Sequence, residues 1–131
     1  MTAASGAARL PSGPLILASA SQTRQRLLEQ AGFAFETCVA SIDEVSIRHS
    51  CAAEGIAAGD VAVILAEMKG RAAAAKVAAS PGTLLLAADQ ILEIDGEMLG
   101  KPADRAGAVA QLARLQGRPH RLLTALSLIH I

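Results

Sequence analysis

Leu15-Ile16-Leu17-Ala18-Ser19-Ala20-Ser21-Gln22-Thr23-Arg24-Gln25-Arg26-Leu27-Leu28-Glu29-Gln30-Ala31-Gly32 is the stretch that decides the fold. Leu15 to Ala18 is a short unbroken apolar run, the pattern of a strand buried on both faces. Ser21 has a helix N-cap side chain, Gln22 to Gln30 is rich in helix formers with Leu27 and Leu28 on one face, and Gly32 stands where a helix-ending glycine belongs. Strand, serine turn and helix in that order favour an α/β fold over a helical bundle.

Working outward, residues 1–13 are small and polar with helix breakers among them and read as a flexible leader, so the ordered domain is expected over 14–131. Phe33 to Ala40 alternates and reads as a second strand, followed by an irregular stretch through Ser41-Ile42-Asp43-Glu44. Asp60 is positioned to cap a helix from Val61 to about Ala79, with Val61, Ile64, Leu65, Met68, Ala72 and Ala75 as its apolar stripe, Lys69 and Lys76 beside it, and Ser80-Pro81-Gly82 ending it. Thr83 to Ala88 reads as a buried strand prolonged by Ile91 to Ile94. Asp95-Gly96 is a strong two-residue hairpin signal leading into Glu97-Met98-Leu99. Asp104 caps a helix to about Gln116, Gly117 closes it, and Leu122 to Ile131 reads as a last strand. The hairpin makes the expected sheet mixed, with flanking helices.

The composition removes several function classes. Twelve basic and twelve acidic residues leave no net charge, which disfavours a nucleic-acid binder and a polybasic membrane binder. Phe33 and Phe35 are the only aromatic residues, so single-strand stacking platforms have almost nothing to stack on. Much of the 52% hydrophobic content is alanine, which buries little area per residue, so the core is expected from Leu, Ile and Val. No apolar run approaches the roughly 18 residues of a membrane span, and the faint signal-peptide outline around Leu15 is broken by Pro11, Gly13 and Pro14; the cytoplasm is the expected compartment. Cys38 and Cys51 form no C-x-x-C and share no zinc-type spacing with His49, His120 or His130, so both read as reduced structural thiols.

Four weak chemical signals remain. A strand feeding a helix N-terminus presents unpaired N–H groups and a partial positive charge, here with the hydroxyls of Ser19 and Ser21, and Arg24 can turn back toward the same end. On spacing alone, a plain capped helix with a solvent-facing arginine is the commoner outcome. Gly96 to Pro102 is not a P-loop, because three residues separate the glycines and Pro102 replaces the magnesium-binding hydroxyl. Lys101 is nevertheless held between Gly100 and Pro102 as a fixed point charge, or simply as a turn lysine. Asp89 follows a buried strand, where ionisation is costly without a compensating cation or donor. Asp43-Glu44 adds carboxylates whose oxygen-only character suits Mg²⁺ or Mn²⁺, although an isolated pair is more often loop charge. Together they describe a triphosphate site better than a peptide or sugar site, and a serine triad has no G-x-S-x-G turn to support it.

The order of these motifs resembles a known family. Leu15 to Gly32, Ile42-Asp43-Glu44, Leu65-Ala66-Glu67-Met68-Lys69, Ala88-Asp89-Gln90, Gly100-Lys101-Pro102 and Leu115-Gln116-Gly117-Arg118 are similar to the Maf family, the "septum formation" nucleoside triphosphate pyrophosphatases. The resemblance runs from about Pro14 to Leu128. It implies a mixed α/β fold of the Maf and ITPase type, often dimeric, that uses a divalent metal to hydrolyse the bond between the α and β phosphates. It implies further that Ser19, Ser21 and Arg24 form the phosphate-binding turn, that Lys69 and Lys101 are the family's lysines, that Glu44 is a metal-site acid and that Asp89 activates water. Asp89-Gln90 and the non-arginine Thr23 resemble the branch acting on 7-methyl-GTP, whereas dTTP/UTP-type members have Asp-Thr. Family members normally continue for roughly another third of their length, so a partial domain that binds nucleotide without turnover is the alternative expectation.

Overall fold

The computed structural model describes residues 13–77 and 81–131. The chain runs β1 (Leu15–Leu17), α1 (Gln22–Gln30), β2 (Glu36–Thr37), α2 (Glu44–Ala53), α3 (Ala58–Lys76), β3 (Leu84–Ile94), β4 (Glu97–Leu99), α4 (Arg105–Leu115) and β5 (Arg121–His130). Five strands form one mixed sheet in the order β2-β1-β3-β4, with β5 on β3. The expected mixed α/β architecture is therefore present. The leader expected over 1–13 lies outside the described residues apart from Gly13, as do Ala78, Ala79 and Ser80.

β3 is the axis of the sheet. β5 pairs antiparallel along one edge from Leu84↔His130 to Glu93↔Arg121. The other edge is shared: β1 pairs parallel at Leu84 to Leu86, and β4 pairs antiparallel at Leu92 to Ile94. Between them, no strand among the described residues lies beside Ala87 to Ile91 on this edge. The amides of Leu84 and Ala18 donate to Pro14 and Leu86 carbonyls, so even-numbered residues of β3 turn their backbone toward this edge. By strand alternation, Ala88 and Gln90 present backbone N–H and C=O groups to the gap. A hole in the ladder thus lies at the C-terminal end of β1, next to the serine turn.

Side chains divide the sheet into two faces. Leu85, Ala87, Asp89 and Ile91 point to the face covered by α3, whose buried residues are Ala58, Val61, Ala62, Leu65, Ala66, Gly70 and Ala73. These recur at helical spacing, and Lys69 falls within the same stripe. The expected stripe drifts off this face in its C-terminal half: Met68 and Ala75 are exposed, while Gly70 and Ala73 meet the sheet. A Cβ on Gly70 would lie 3.3 Å from Ala87 Cβ, so the glycine permits the close helix approach. The opposite, even-numbered face carries Leu86, Ala88, Gln90 and Leu92 and floors an open cleft.

Several expectations are corrected. The second strand is only Glu36–Thr37 rather than Phe33 to Ala40, because β1 offers just two residues of parallel partner to it. The stretch thought irregular at Asp43-Glu44 starts helix α2, with Asp43 as N-cap accepting from the Ser46 amide at 3.1 Å. α3 begins at Ala58 behind Ala57, so Asp60 lies in its first turn instead of capping it, and the helix ends at Lys76. Alanine carries more of the core than expected: Ala18, Ala58, Ala62, Ala66, Ala73, Ala87, Ala88 and Ala125 are all buried, trading area for close packing. Other local readings hold. Gly32, at φ +87°, closes α1, with the Phe33 amide donating to Leu28; Asp95 and Gly96 both take positive φ in the β3–β4 hairpin; and Asp104 caps α4.

Candidate active site

The serine turn is built by local hydrogen bonds. Ser21 Oγ accepts from the Arg24 amide at 3.3 Å and caps α1. Ser19 Oγ accepts from the Ser21 amide at 3.1 Å and from Arg24 Nη1 at 3.4 Å. The arginine is therefore folded back over the helix N-terminus rather than pointing to solvent. Both serine hydroxyls are engaged through their oxygen, which leaves their own protons free to donate to an anion above the turn.

Lys69 is the hub of the site. Its Nζ lies 2.8 Å from Asp89 Oδ1 and 2.5 Å from Glu44 Oε1, joining α2, α3 and β3. The meeting follows from the faces already described, since Lys69 lies on the buried stripe of α3 and Asp89 on the α3 side of β3. The side chain of Asp89 is only 5% exposed, that of Lys69 17% and that of Glu44 36%. The second Asp89 oxygen, Oδ2, is buried with no hydrogen-bond partner. A carboxylate so placed has one lysine contact and a second oxygen that can still accept a hydrogen bond.

A cleft of about 770 Å³ gathers Ser21, Arg24, Glu44, Lys69, Asp89, Gln90 and Lys101. Ser19 stands just behind its wall, reached by Arg24. The turn carrying Lys101 is anchored by Gln111 Nε2, which donates to the Gly100 carbonyl at 2.9 Å. Gln90 Nε2 donates to Thr124 Oγ1 at 2.9 Å, which fixes the side-chain amide at the cleft. The eight residues singled out in the sequence thus converge. Arg48, on α2, is a lining residue that the sequence reading missed; its signal was the i,i+4 spacing from Glu44, visible only once α2 is known to be a helix.

No group of three or more His, Cys, Asp or Glu side chains converges among the described residues. An all-protein metal cage is not built there. Glu44 and Asp89 flank the Lys69 ammonium with oxygen donors, the donor type that would suit a hard cation. No helix among the described residues is long and apolar enough to cross a membrane.

Comparison with known proteins finds similar sequences over most of the chain. The chain is 49% identical over 111 residues to "Nucleoside triphosphate pyrophosphatase 1" of Jannaschia sp. (strain CCS1), covering 85% of this chain and 54% of that protein. It is 50% identical over 111 residues to "Nucleoside triphosphate pyrophosphatase" of Paramagnetospirillum magneticum, covering 84% and 55%. It is 44% identical over 115 residues to "dTTP/UTP pyrophosphatase" of Symbiobacterium thermophilum, covering 88% and 55%. The chain spans about half the length of the curated relatives it matches. The profile described as "Maf-like protein" matches residues 14–131, and the chain belongs to that family.

Proposed function

We propose that this chain binds a nucleoside triphosphate in the cleft and serves hydrolysis of the α–β phosphoanhydride to a nucleoside monophosphate and pyrophosphate. The observation that carries the reading is Lys69 between Glu44 and Asp89, facing a cleft that also holds the serine turn and Lys101. Ser19, Ser21 and Arg24 receive phosphate oxygens with hydroxyl, backbone and guanidinium donors, and Lys101 offsets charge from the opposite wall. A divalent cation, Mg²⁺ or Mn²⁺, held by Glu44 and Asp89 together with phosphate oxygens, would lower the pKa of water and offset phosphate charge. Asp89 takes a proton from the attacking water as its oxygen bonds to the α phosphorus; the bond to the bridging oxygen breaks and pyrophosphate leaves. Lys69, 2.8 Å from Oδ1, orients Asp89 for that role.

Among bases, 7-methyl-GTP is the substrate we favour. Asp89-Gln90 and the non-arginine Thr23 resemble the branch acting on it, and the Gln90 side chain lies in the cleft with its amide held by Thr124. A dTTP/UTP-type substrate is the competing choice, since one relative bears that name. The cytoplasm as compartment and a homodimeric assembly complete the proposal. Incubation with Mg²⁺ and a panel of nucleotides should release pyrophosphate, with 7-methyl-GTP turned over fastest; release of orthophosphate alone would refute the reaction. Asp89→Asn should abolish turnover while nucleotide binding persists. Nucleotide binding with no pyrophosphate release would instead support a binding role without turnover.

A further inference from the structure

Arg48 has the character of a group awaiting a ligand. Its Nε is buried with no hydrogen-bond partner, although the side chain as a whole is 25% exposed. Among the described residues its ion-pair partner is Glu44, whose Oε2 lies 3.8 Å from Nη2, too far for a hydrogen bond, while the other Glu44 oxygen is held at 2.5 Å by Lys69. A guanidinium has five donors, and leaving a buried one unpaired costs free energy.

The surroundings say which way that capacity is directed. Arg48 stands in the wall between the cleft and a second hollow of about 650 Å³ beside the β3–β4 hairpin. Two carboxylates of that hollow are already hydrogen-bonded elsewhere, Glu93 to Arg121 and Glu97 to Arg114, and the exposed Asp95 lies 3.8 Å from Arg118. Arg48 Nη1 lies near Gly100, where an added Cβ would be 3.6 Å away, so the guanidinium borders the turn that presents Lys101. With Arg48 counted, the cleft is lined by four cations, Arg24, Arg48, Lys69 and Lys101, against two carboxylates, Glu44 and Asp89. The surplus is positive and faces the gap in the ladder.

We propose that Arg48 is a phosphate-binding residue of this cleft, donating through its guanidinium to an oxyanion of the leaving pyrophosphate moiety from the same wall as Lys101. The inference rests on the functional reading above and extends it to a residue outside the recognised motifs. A forked guanidinium on α2 would tie the terminal phosphates to the helix that also presents Glu44, so that phosphate binding and carboxylate placement are set by one element.

Isothermal titration of the full chain with inorganic triphosphate in Mg²⁺ tests it. Arg48→Gln should weaken binding by about tenfold or more, Arg48→Lys should recover part of the loss as a point charge, and Arg71→Gln, on the exposed side of α3, should change nothing. The same titration in a Glu44→Gln background separates a direct role from an indirect one. If Arg48→Gln still weakens triphosphate binding there, the contact is direct; if its effect disappears, Arg48 only positions Glu44 and the proposal is overturned. Equal binding by the unaltered chain and Arg48→Gln also overturns it while leaving the functional reading standing. Failure of the unaltered chain to bind either inorganic triphosphate or any nucleoside triphosphate overturns both.

Discussion

Replacing Lys69 with methionine tests whether the centre of the site is held by charge. The substitution keeps the aliphatic stem that packs on the sheet and removes the ammonium that lies 2.8 Å from Asp89 and 2.5 Å from Glu44. The two carboxylates do not lose equally. Glu44 is about one-third exposed and rehydrates, so its share is about 0–1 kcal/mol, as for surface pairs. Asp89 is almost fully buried and its Oδ2 has no partner already, so loss of the Oδ1 contact leaves an uncompensated charge, at a cost of about 3–5 kcal/mol. In an Asp89→Asn background that charge is absent, and Lys69→Met should cost no more than about 1 kcal/mol. Urea unfolding of the four proteins gives the coupling directly and should return about 3 kcal/mol. Equal costs in the two backgrounds, within about 0.5 kcal/mol, would refute the assignment of Lys69 as the compensating cation.

Three other outcomes follow from the same structure. Gly70→Val should destabilise by about 1–3 kcal/mol because its Cβ already meets Ala87 Cβ and Ile129 Cδ1 at 3.3 Å, whereas Gly59→Ala, with open space at the same helix's start, should stabilise by about 0.5–1 kcal/mol; thermal melts of the pair should move in opposite directions. Leu65→Ala removes a side chain with no exposed surface and should cost about 2–5 kcal/mol by urea unfolding. Asp43 is pulled below its ordinary pKa of 3.8 by hydrogen bonds from the Ser46 amide and hydroxyl. A lowered folded-state pKa contributes stability that is present above the unfolded value and lost as pH falls through the folded one. The deficit of Asp43→Ala should therefore be constant between about pH 5 and 7 and shrink below pH 3.8, and a deficit undiminished at about pH 3 would contradict the cap's being ionic.

What could be read from the sequence was what local chemistry determines. Ser21 caps, Gly32 ends a helix and Asp95-Gly96 turns a hairpin because each acts on backbone within a few residues, and each is found as expected. The failures share a cause. Glu44 to Ala53 was not seen as a helix because it offers only Cys51 as a buried residue and its cap lies in an acidic pair that reads equally well as loop charge. Phe33 to Ala40 alternates like a strand, yet a strand's length is set by its partner, and β1 supplies two residues.

The site itself was legible as a set of residue types but not as an arrangement, and Lys69 shows why. Judged on its own helix it interrupts an apolar stripe, and the reading that placed it beside the stripe followed Met68, Ala72 and Ala75, residues larger or more numerous than the ones that face the sheet. The true face runs through Gly70 and Ala73, small residues that hydropathy weights lightly but that alone allow α3 to approach Ala87. Moving the face by one residue carries Lys69 inward, onto the side of the sheet where Asp89 must point by strand alternation. Each charge is then costly without the other, and the pair is consistent only if helix and strand pack at this register. The buried ion pair therefore reports on the fold as well as the chemistry: a slip of β3 by one residue would turn Asp89 to the open face and leave Lys69 buried against apolar neighbours, so the contact that readies the site also penalises the commonest way of misregistering its central strand.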